Sequence, residues 1–494
     1  MIRAKMRVLS NLAPERVFYY FEEICSIPHG SGNMKAISDY LTGFAREHDL
    51  RYRQDELNNV IIWKDGQGEP VILQGHMDMV CDKDADCDKD MAKEGLDLYI
   101  EDGFVKAKGT TLGGDDGVAV AMALALLESD DEKLPPLEVI ITVDEEVGML
   151  GAAAIDTSDI KGKTMINIDS EVEGVFTVSC AGGVIAKCML PIEFLPTPAN
   201  GIYEINISGL TGGHSGVEIH KNRANAIKVL GLLLDIVRAD NKLSIIEISG
   251  GAKDNVIAGN ARALIALSGD YSIEEITAKL RGAIASIKMS FAESDPGMSI
   301  TFAENKYEEK PFYTCAIGYD CSNKIIDMLV KLPNGVQAMS KDVEGLVETS
   351  LNMGILGQYS SGEEDVVMLT FCVRSSIDDE KRKLMDRLSD IINEIGGRIE
   401  FEGDYPGWQY RKDSRLRDLV ASVFAAQYGT EAKIEAIHAG VECGYFAKKI
   451  EDLDCVSLGP NLSKIHTSEE AMEIASVERT YNLVLEVLHK LNYN

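Results

Sequence analysis

Short runs of Val, Ile and Leu recur along the first third of the chain. Each is bounded by glycine, proline or charge, and they alternate with longer stretches whose apolar residues return every third or fourth position. The runs "NNVIIWK", "PVILQG", "LEVIITV" and "KTMINID" are too short for helices and nearly uniformly apolar, which predicts strands buried on both faces. Between and around them, "ERVFYYFEEI", "MKAISDYLTGFAREH" and "GVAVAMALALLES" carry helical spacing. This alternation predicts an α/β fold, a mostly parallel sheet flanked by helices.

From roughly Gly183 to Gly397 the rhythm changes. "GIYEINISGL", "ARALIALSG" and "DVVMLTFCVRSS" alternate with period two and frame an amphipathic helix, "ANAIKVLGLLLDIVRA", the pattern of a separate α+β unit. Beyond it, "SRLRDLVASVFAAQYG", "LDCVSLGPN" and "SVERTYNLVLEVLHKL" return to the rhythm of the first third. A chain of 494 residues exceeds one ordinary core, so the expected organisation is a discontinuous α/β domain, residues 1–184 and 399–494, holding an α+β domain inserted at 185–398. Within the insert, "GAKDNVIAGNARALIAL" and "ETSLNMGIL…VVMLTFCVRSS" share a Gly/Asn-then-strand outline, which points to two related halves.

Charge narrows the partners. The 49 basic and 80 acidic side chains leave a net charge of -31, which opposes general affinity for nucleic acid and anionic membranes. No apolar run reaches the length of a membrane span, and the start lacks the apolar core and cleavage site of a secretory signal, so the expected location is the cytoplasm. The ten cysteines are scattered without a Cys-x-x-Cys pair, the usage of reduced, mostly buried thiols.

With eight histidines, each can be weighed. "VILQGHMDMV" sets His76 and Asp78 two residues apart at the end of a buried strand, on one face if the backbone stays extended. An Asp so placed orients a ligating His through its far nitrogen; a polar turn after a strand reads the same way. "GTTLGGDDGVAVAMALALL" delivers Asp115 and Asp116 to a helix start, where N-capping accounts for one acid but not readily for two among three glycines. That helix opens with acids and without Gly-Lys-Ser/Thr, which rejects a phosphate cradle there.

"LEVIITVDEEVGMLGA" ends a buried run with Asp144, Glu145 and Glu146. Neighbouring residues on a fraying strand face opposite ways, so one carboxylate can address a cation and the other a water beside it, although a solvated acidic strand end is the alternative. "KTMINIDSE" adds Asp169 after another buried run, and "KIHTSEEAMEI" sets His466 before an acidic helix. His76, Asp115, Glu146 and Asp169 all adjoin the carboxyl ends of predicted strands, where open α/β sheets place their sites. Two imidazoles and three carboxylates suit Zn²⁺, with Mn²⁺ or Co²⁺ as further possibilities. Two divalent ions against three carboxylates leave one positive charge for a hydroxide to cancel, which points to a pair of ions about 3.5–4 Å apart.

In "GHMD", "GGDDG", "DEE", "NIDSE" and a late His the sequence resembles the co-catalytic di-zinc exopeptidases of the aminoacylase/carboxypeptidase metallopeptidase family, in order and spacing over nearly the whole chain. "SIPHGSGN", "GLTGGHSGVEIH", "TFCVRSS" and "IHAGVECGYF" place the likeness in its dipeptidase branch. The resemblance implies that Asp115 bridges two ions, that Glu146 and His466 complete one site, and that His76 and Asp169 complete the other. It implies Glu145 as general base, Asp78 as the partner orienting His76, and a cis linkage at Asp115–Asp116. In the insert, which would be a lid, it implies His214 as a donor to the tetrahedral oxyanion, with Asn255, Asn352 and Arg374 as candidates for the substrate carboxylate.

The activity implied is hydrolysis of dipeptides, of Xaa-His type such as β-Ala-His and of broad specificity, in a cytoplasmic homodimer. A tripeptide aminopeptidase or N-acyl-amino-acid deacylase of the same family is the alternative, and a catalytically silent binding protein the second. One departure is that Lys464 and Ile465 precede His466 where dipeptidases of this type often have Pro. Other features read blandly. "CDKDADCDKD" lacks the Gly and Glu of a calcium loop and reads as a surface loop. Cys443 reads as a buried packing residue, with no Cys/His/Asn pattern to make it a nucleophile.

Overall fold

The expected elements form, except that the acidic stretch after His466 is turn followed by the short strand Ala471–Glu473, and the helix begins only at Ile474. In the computed structural model, which describes residues 7–196, 200–305, 315–360, 362 and 364–492, the chain divides into two compact units. The first comprises residues 1–180, 408–436 and 441–494, and the second residues 181–407 and 437–440.

The first unit is built on an eight-stranded sheet among the described residues, in the order Arg51–Gln54, Val60–Lys64, Leu137–Thr142, Val71–His76, Thr164–Asn167, Asp454–Ser457, Val175–Cys180 and Lys433–Ile437. Leu137–Thr142, Val71–His76, Thr164–Asn167 and Asp454–Ser457 run parallel. Val60–Lys64 and Val175–Cys180 pair antiparallel on either side, so parallel pairing is narrower than the sequence pattern implies. At the parallel centre the chain is buried even at Gln74 and Glu138. Val71–His76 and Leu137–Thr142 are buried throughout, as strands covered on both faces must be.

The helix Gly114–Glu128 is buried on all sides from Gly117 to Leu127 and packs on Glu15–Cys25 and Val71–His76. Its apolar circumference therefore marks a core helix rather than an amphipathic one. Glu15–Cys25, Lys35–Glu47, Arg415–Tyr428 and Ile474–Asn492 each bury a single stripe.

The second unit has an antiparallel nine-stranded sheet among the described residues. Its middle consists of two hairpins, Lys242–Gly251 with Ala261–Ser268 and Val347–Ser360 with Asp365–Ser375, joined through Gly250 and Gly251. These hairpins contain the two segments with the shared outline. Helices Ala226–Arg238, Ile273–Ser290, Tyr319–Lys331 and Asp378–Glu394 also contribute to its core. Among the described residues no helix is long and apolar enough to cross a membrane, and all ten cysteines are free.

Candidate active site

Three strands end and one helix begins at one rim of the first unit's sheet. His76 is the last residue of Val71–His76, Glu145 and Glu146 follow Leu137–Thr142, Asp169 follows Thr164–Asn167, and Asp115 lies at the irregular start of Gly114–Glu128. His466 arrives from far along the chain, in the loop between paired strands Leu462–Ser463 and Ala471–Glu473. Open parallel sheets leave a crevice at the carboxyl ends of their strands, and these acids and imidazoles fill it.

Asp115 faces both imidazoles: Oδ1 is 3.1 Å from His76 Nε2 and Oδ2 is 3.2 Å from His466 Nε2. Asp169 Oδ1 lies 3.7 Å from His76 Nε2, and Glu146 Oε1 lies 2.8 Å from His466 Nε2. That Glu146 oxygen is buried yet off the line of any hydrogen bond. Asp115, Glu146 and His466 converge tightly enough to share one ion, as do His76, Asp116 and Asp169, and His76, Glu145 and Glu146. The linkage between Asp115 and Asp116 is cis.

The electrostatics call for cations. Burial, with Asp169, Glu442 and Glu146 nearby, pushes the Glu145 carboxyl up to about 9, against the pull of His76. Burial likewise pushes Asp169 up to about 6, with Asp115 and Glu146 adding to the rise. His466, facing the carboxylates of Asp115 and Glu146 at close range, rises to about 10, and His76 rises above the ordinary range because its three Asp contacts outweigh its burial. Asp115 alone among these acids is held far down: burial would raise it, but the two imidazoles prevail. Five carboxylates around two imidazoles are short of positive charge, and like charges in a cleft ionise together only beside a cation. Two Nε2 atoms facing carboxylate oxygens, with a buried bare oxygen on Glu146, form a donor set that fits borderline divalent ions.

Supporting contacts lie just behind this rim, some from residues that the sequence pattern did not reveal. His76 Nδ1 is 2.9 Å from the backbone carbonyl of Asp78 and 3.5 Å from its carboxylate, so the nearer orienting partner is the main chain. The Asp78 carboxylate accepts from Ser31 Oγ at 2.8 Å and from the amides of Glu145 and Glu146 at 3.0 and 3.4 Å, tying that loop to the strand of His76. Asp116 Oδ2 accepts from the amide of His76 at 3.2 Å and lies so close over Gly75 that a Cβ there would collide with it. This is the physical reason for glycine in "GHMD". With one oxygen engaged this way, Asp116 is a brace, whereas Asp115 turns both oxygens outward. Glu442, fully buried, accepts from Gln74 Nε2 and Thr142 Oγ1, each at 2.6 Å, and so links two parallel strands next to their ligand-bearing ends.

A family model described as "Peptidase family M20/M25/M40" matches residues 72–490. The chain belongs to that peptidase family. Cytosol non-specific dipeptidase of Escherichia coli (strain K12) is 33% identical over 492 residues, 98% of this chain and 99% of the relative. The crystal structure of aminoacylhistidine dipeptidase from Vibrio alginolyticus superposes with a TM-score of 0.91 at 32% identity, covering 98% of each chain. Aminopeptidase PepT from Bacillus cereus, at 16% identity and a TM-score of 0.55 over 97% of this chain and 99% of its own, shares the fold. M20 peptidases are metal-dependent, in keeping with the donor set above.

The remaining candidates of this M20 peptidase lie in its second unit. His214 is half-buried, and its Nδ1 accepts from the amides of Gly216 and Val217 at 3.1 and 3.2 Å. Two amide donors on Nδ1 fix the tautomer with the proton on Nε2, and burial beside Arg374 lowers the pKa, so a neutral ring presents an N–H donor. Arg374 is 7% exposed, donates from Nη1 to the Tyr405 hydroxyl at 2.9 Å, and keeps a buried Nε without a partner. No carboxylate among the described residues lies within ion-pair distance of it. Asn255 is part-buried, with its carbonyl accepting from the Ser215 amide at 2.9 Å.

Asn352 departs from expectation. It is fully buried, its Nδ2 donates to the carbonyls of Asp254 and Val256 at 3.0 and 2.8 Å, and its Oδ1 accepts from Asn225 Nδ2 at 3.2 Å. Both of its donors are engaged in fixing the backbone beside Asn255, which leaves none for a substrate carboxylate.

Proposed function

We propose that this chain is a metal-dependent dipeptidase of broad specificity, with Xaa-His dipeptides such as β-Ala-His among its substrates, working with two divalent ions of which Zn²⁺ fits best. The observation that carries the reading is Asp115, whose two oxygens each face one imidazole within a cluster of further acids. Asp115 would be shared, His76 and Asp169 would hold one ion, and Glu146 and His466 the other. The names of the full-length Escherichia coli and Vibrio relatives support the substrate class.

When bound, such ions polarise the scissile carbonyl and make a water acidic enough to serve as nucleophile at neutral pH. The chain's own residues do the rest. A Glu145 carboxylate oxygen takes a proton from the attacking water and returns it to the leaving nitrogen as the C–N bond breaks, so one group serves as base and then acid. Burial and the neighbouring acids raise its pKa, and positive charge beside it would bring the value toward neutrality. In the second unit, the His214 Nε2–H suits the carbonyl oxygen as it gains charge, and the Arg374 guanidinium suits the substrate carboxylate. The amides of Glu145 and Glu146 on Asp78 keep the base in register with the ligands.

The test is a panel of Xaa-His dipeptides, other dipeptides, tripeptides and N-acyl amino acids, run on chelator-treated protein with and without added Zn²⁺ or Mn²⁺. Dipeptide cleavage that vanishes with chelation and returns with metal is expected; cleavage of tripeptides or N-acyl amino acids alone, or full activity without metal, rejects the proposal. Glu145→Gln should retain metal and lose about two or more orders of magnitude in kcat. A cytoplasmic homodimer completes the proposal, checked by fractionation of cells and by light scattering of the pure protein.

A further inference from the structure

Glu470 lies four residues after His466 and belongs to no ligand set. Its carboxylate is 3% exposed and is bound by main chain from a distant segment. Oε2 accepts from the amides of Leu112 and Gly113 at 2.9 and 3.2 Å, and Oε1 accepts from the amide of Gly114 at 2.8 Å. These three amides form the turn that leads directly into Asp115. The turn is shaped for the contact: Gly113 has φ of 67°, and a Cβ on Gly114 would come within 3.1 Å of Glu470 Oε1.

The other end of the link is the His466 loop. His466 has φ of 62° and Lys464 has φ of 52°, left-handed conformations that non-glycine residues adopt only when their surroundings hold them there. The His466 side chain is 43% exposed, so packing alone does not hold it. The loop is anchored by Leu462–Ser463 pairing with Ala471–Glu473 and, immediately before that second strand, by Glu470.

Resting on the two-ion reading above, we infer that Glu470 is a positioning residue that sets the distance between Asp115 and His466, and thereby the affinity of the ion position they form with Glu146. A carboxylate accepts from all three amides at once, whereas a carboxamide would turn its NH₂ toward one of them. Glu470→Gln is therefore a disruptive change, and Glu470→Asp, which keeps the charge on a shorter arm, is a milder one.

The experiment titrates metal-stripped protein with Zn²⁺ against a chromophoric chelator, with melting temperature and the metal dependence of hydrolysis measured in parallel. Wild type should bind two ions; binding of none or one would defeat the two-ion reading in the wild type itself, before any variant is considered. In Glu470→Gln one of the two affinities should fall about tenfold to a hundredfold while the other changes by less than about threefold, with activity recovering at high metal. Glu470→Asp should lie between Gln and wild type, and serves as the test if the Gln variant does not fold. A lower melting temperature with both affinities unchanged, or both weakened equally, would overturn the inference and leave Glu470 a structural residue only.

Discussion

His438 offers a quantitative test of how the second unit handles acid. The imidazole is 5% exposed, and its Nε2 lies 2.7 Å from Ser350 Oγ. Burial first, and then the Arg374 guanidinium, push its pKa down to about 3, with His214 and His220 adding to the drop and the Val347 carbonyl opposing it. In the unfolded chain the same group titrates near 6.5. Between those values the unfolded state binds a proton that the folded state refuses, so the stability contribution is complete above about pH 6.5 and is lost as pH falls toward 3. Each pH unit in that window is worth about 1.4 kcal/mol, so at pH 5 the loss is about 2 kcal/mol.

For a unit of this size that loss corresponds to roughly 4–8 °C in melting temperature. The assay is scanning calorimetry of wild type and His438→Gln at pH 7.5 and pH 5.0. Metal ligands titrate in both proteins, so the quantity of interest is the difference of differences. Wild type should lose roughly 4–8 °C more than the variant between the two pH values. Parallel losses would show that His438 is not held neutral by the fold, and the reasoning from burial and neighbouring charge would fail.

Gly75→Ala places a methyl against Asp116 and within 2.8 Å of Ala119 Cβ, an overpacking worth about 1–3 kcal/mol. Because Asp116 braces the amide of His76, metal affinity should fall together with melting temperature; normal values for both would refute the close-approach account. Glu442→Gln keeps an acceptor for Gln74 and Thr142, whereas Glu442→Leu strands two buried donors at about 1–3 kcal/mol each. Thermal unfolding should therefore rank Leu well below Gln, and equal melting temperatures would show that Glu442 does not link the two strands.

What could be read from the sequence follows from where each residue gets its position. His76, Glu145, Glu146 and Asp169 stand where a mostly apolar run stops, and a buried strand must stop at a rim, so the break in hydrophobicity locates the side chain directly. The parallel centre of the sheet is legible for the same reason, and the antiparallel strands beside it are not, because partner direction leaves no mark on a short apolar run. Asp78 shows the limit of spacing arguments: its separation from His76 brings the two together, but whether carbonyl or carboxylate reaches Nδ1 first depends on a turn that periodicity does not specify.

Asn352 shows a harder limit. An Asn in a strand looks the same whether its amide faces a ligand or the carbonyls of Asp254 and Val256. Arg374 is more legible, since a guanidinium inside the apolar stretch "VVMLTFCVRSS" must have a partner, and the structure gives it the Tyr405 hydroxyl and the Cys372 side chain and leaves its Nε bare. Glu470 and Glu442 were invisible because both act on groups hundreds of residues away, two of them main-chain amides of glycine with no side chain to betray the contact. Ligands that bind a cation must share a rim and so announce themselves as a set. The residues that hold those ligands in register answer only to three-dimensional proximity, and a carboxylate that satisfies backbone amides can come from anywhere in the chain that reaches them.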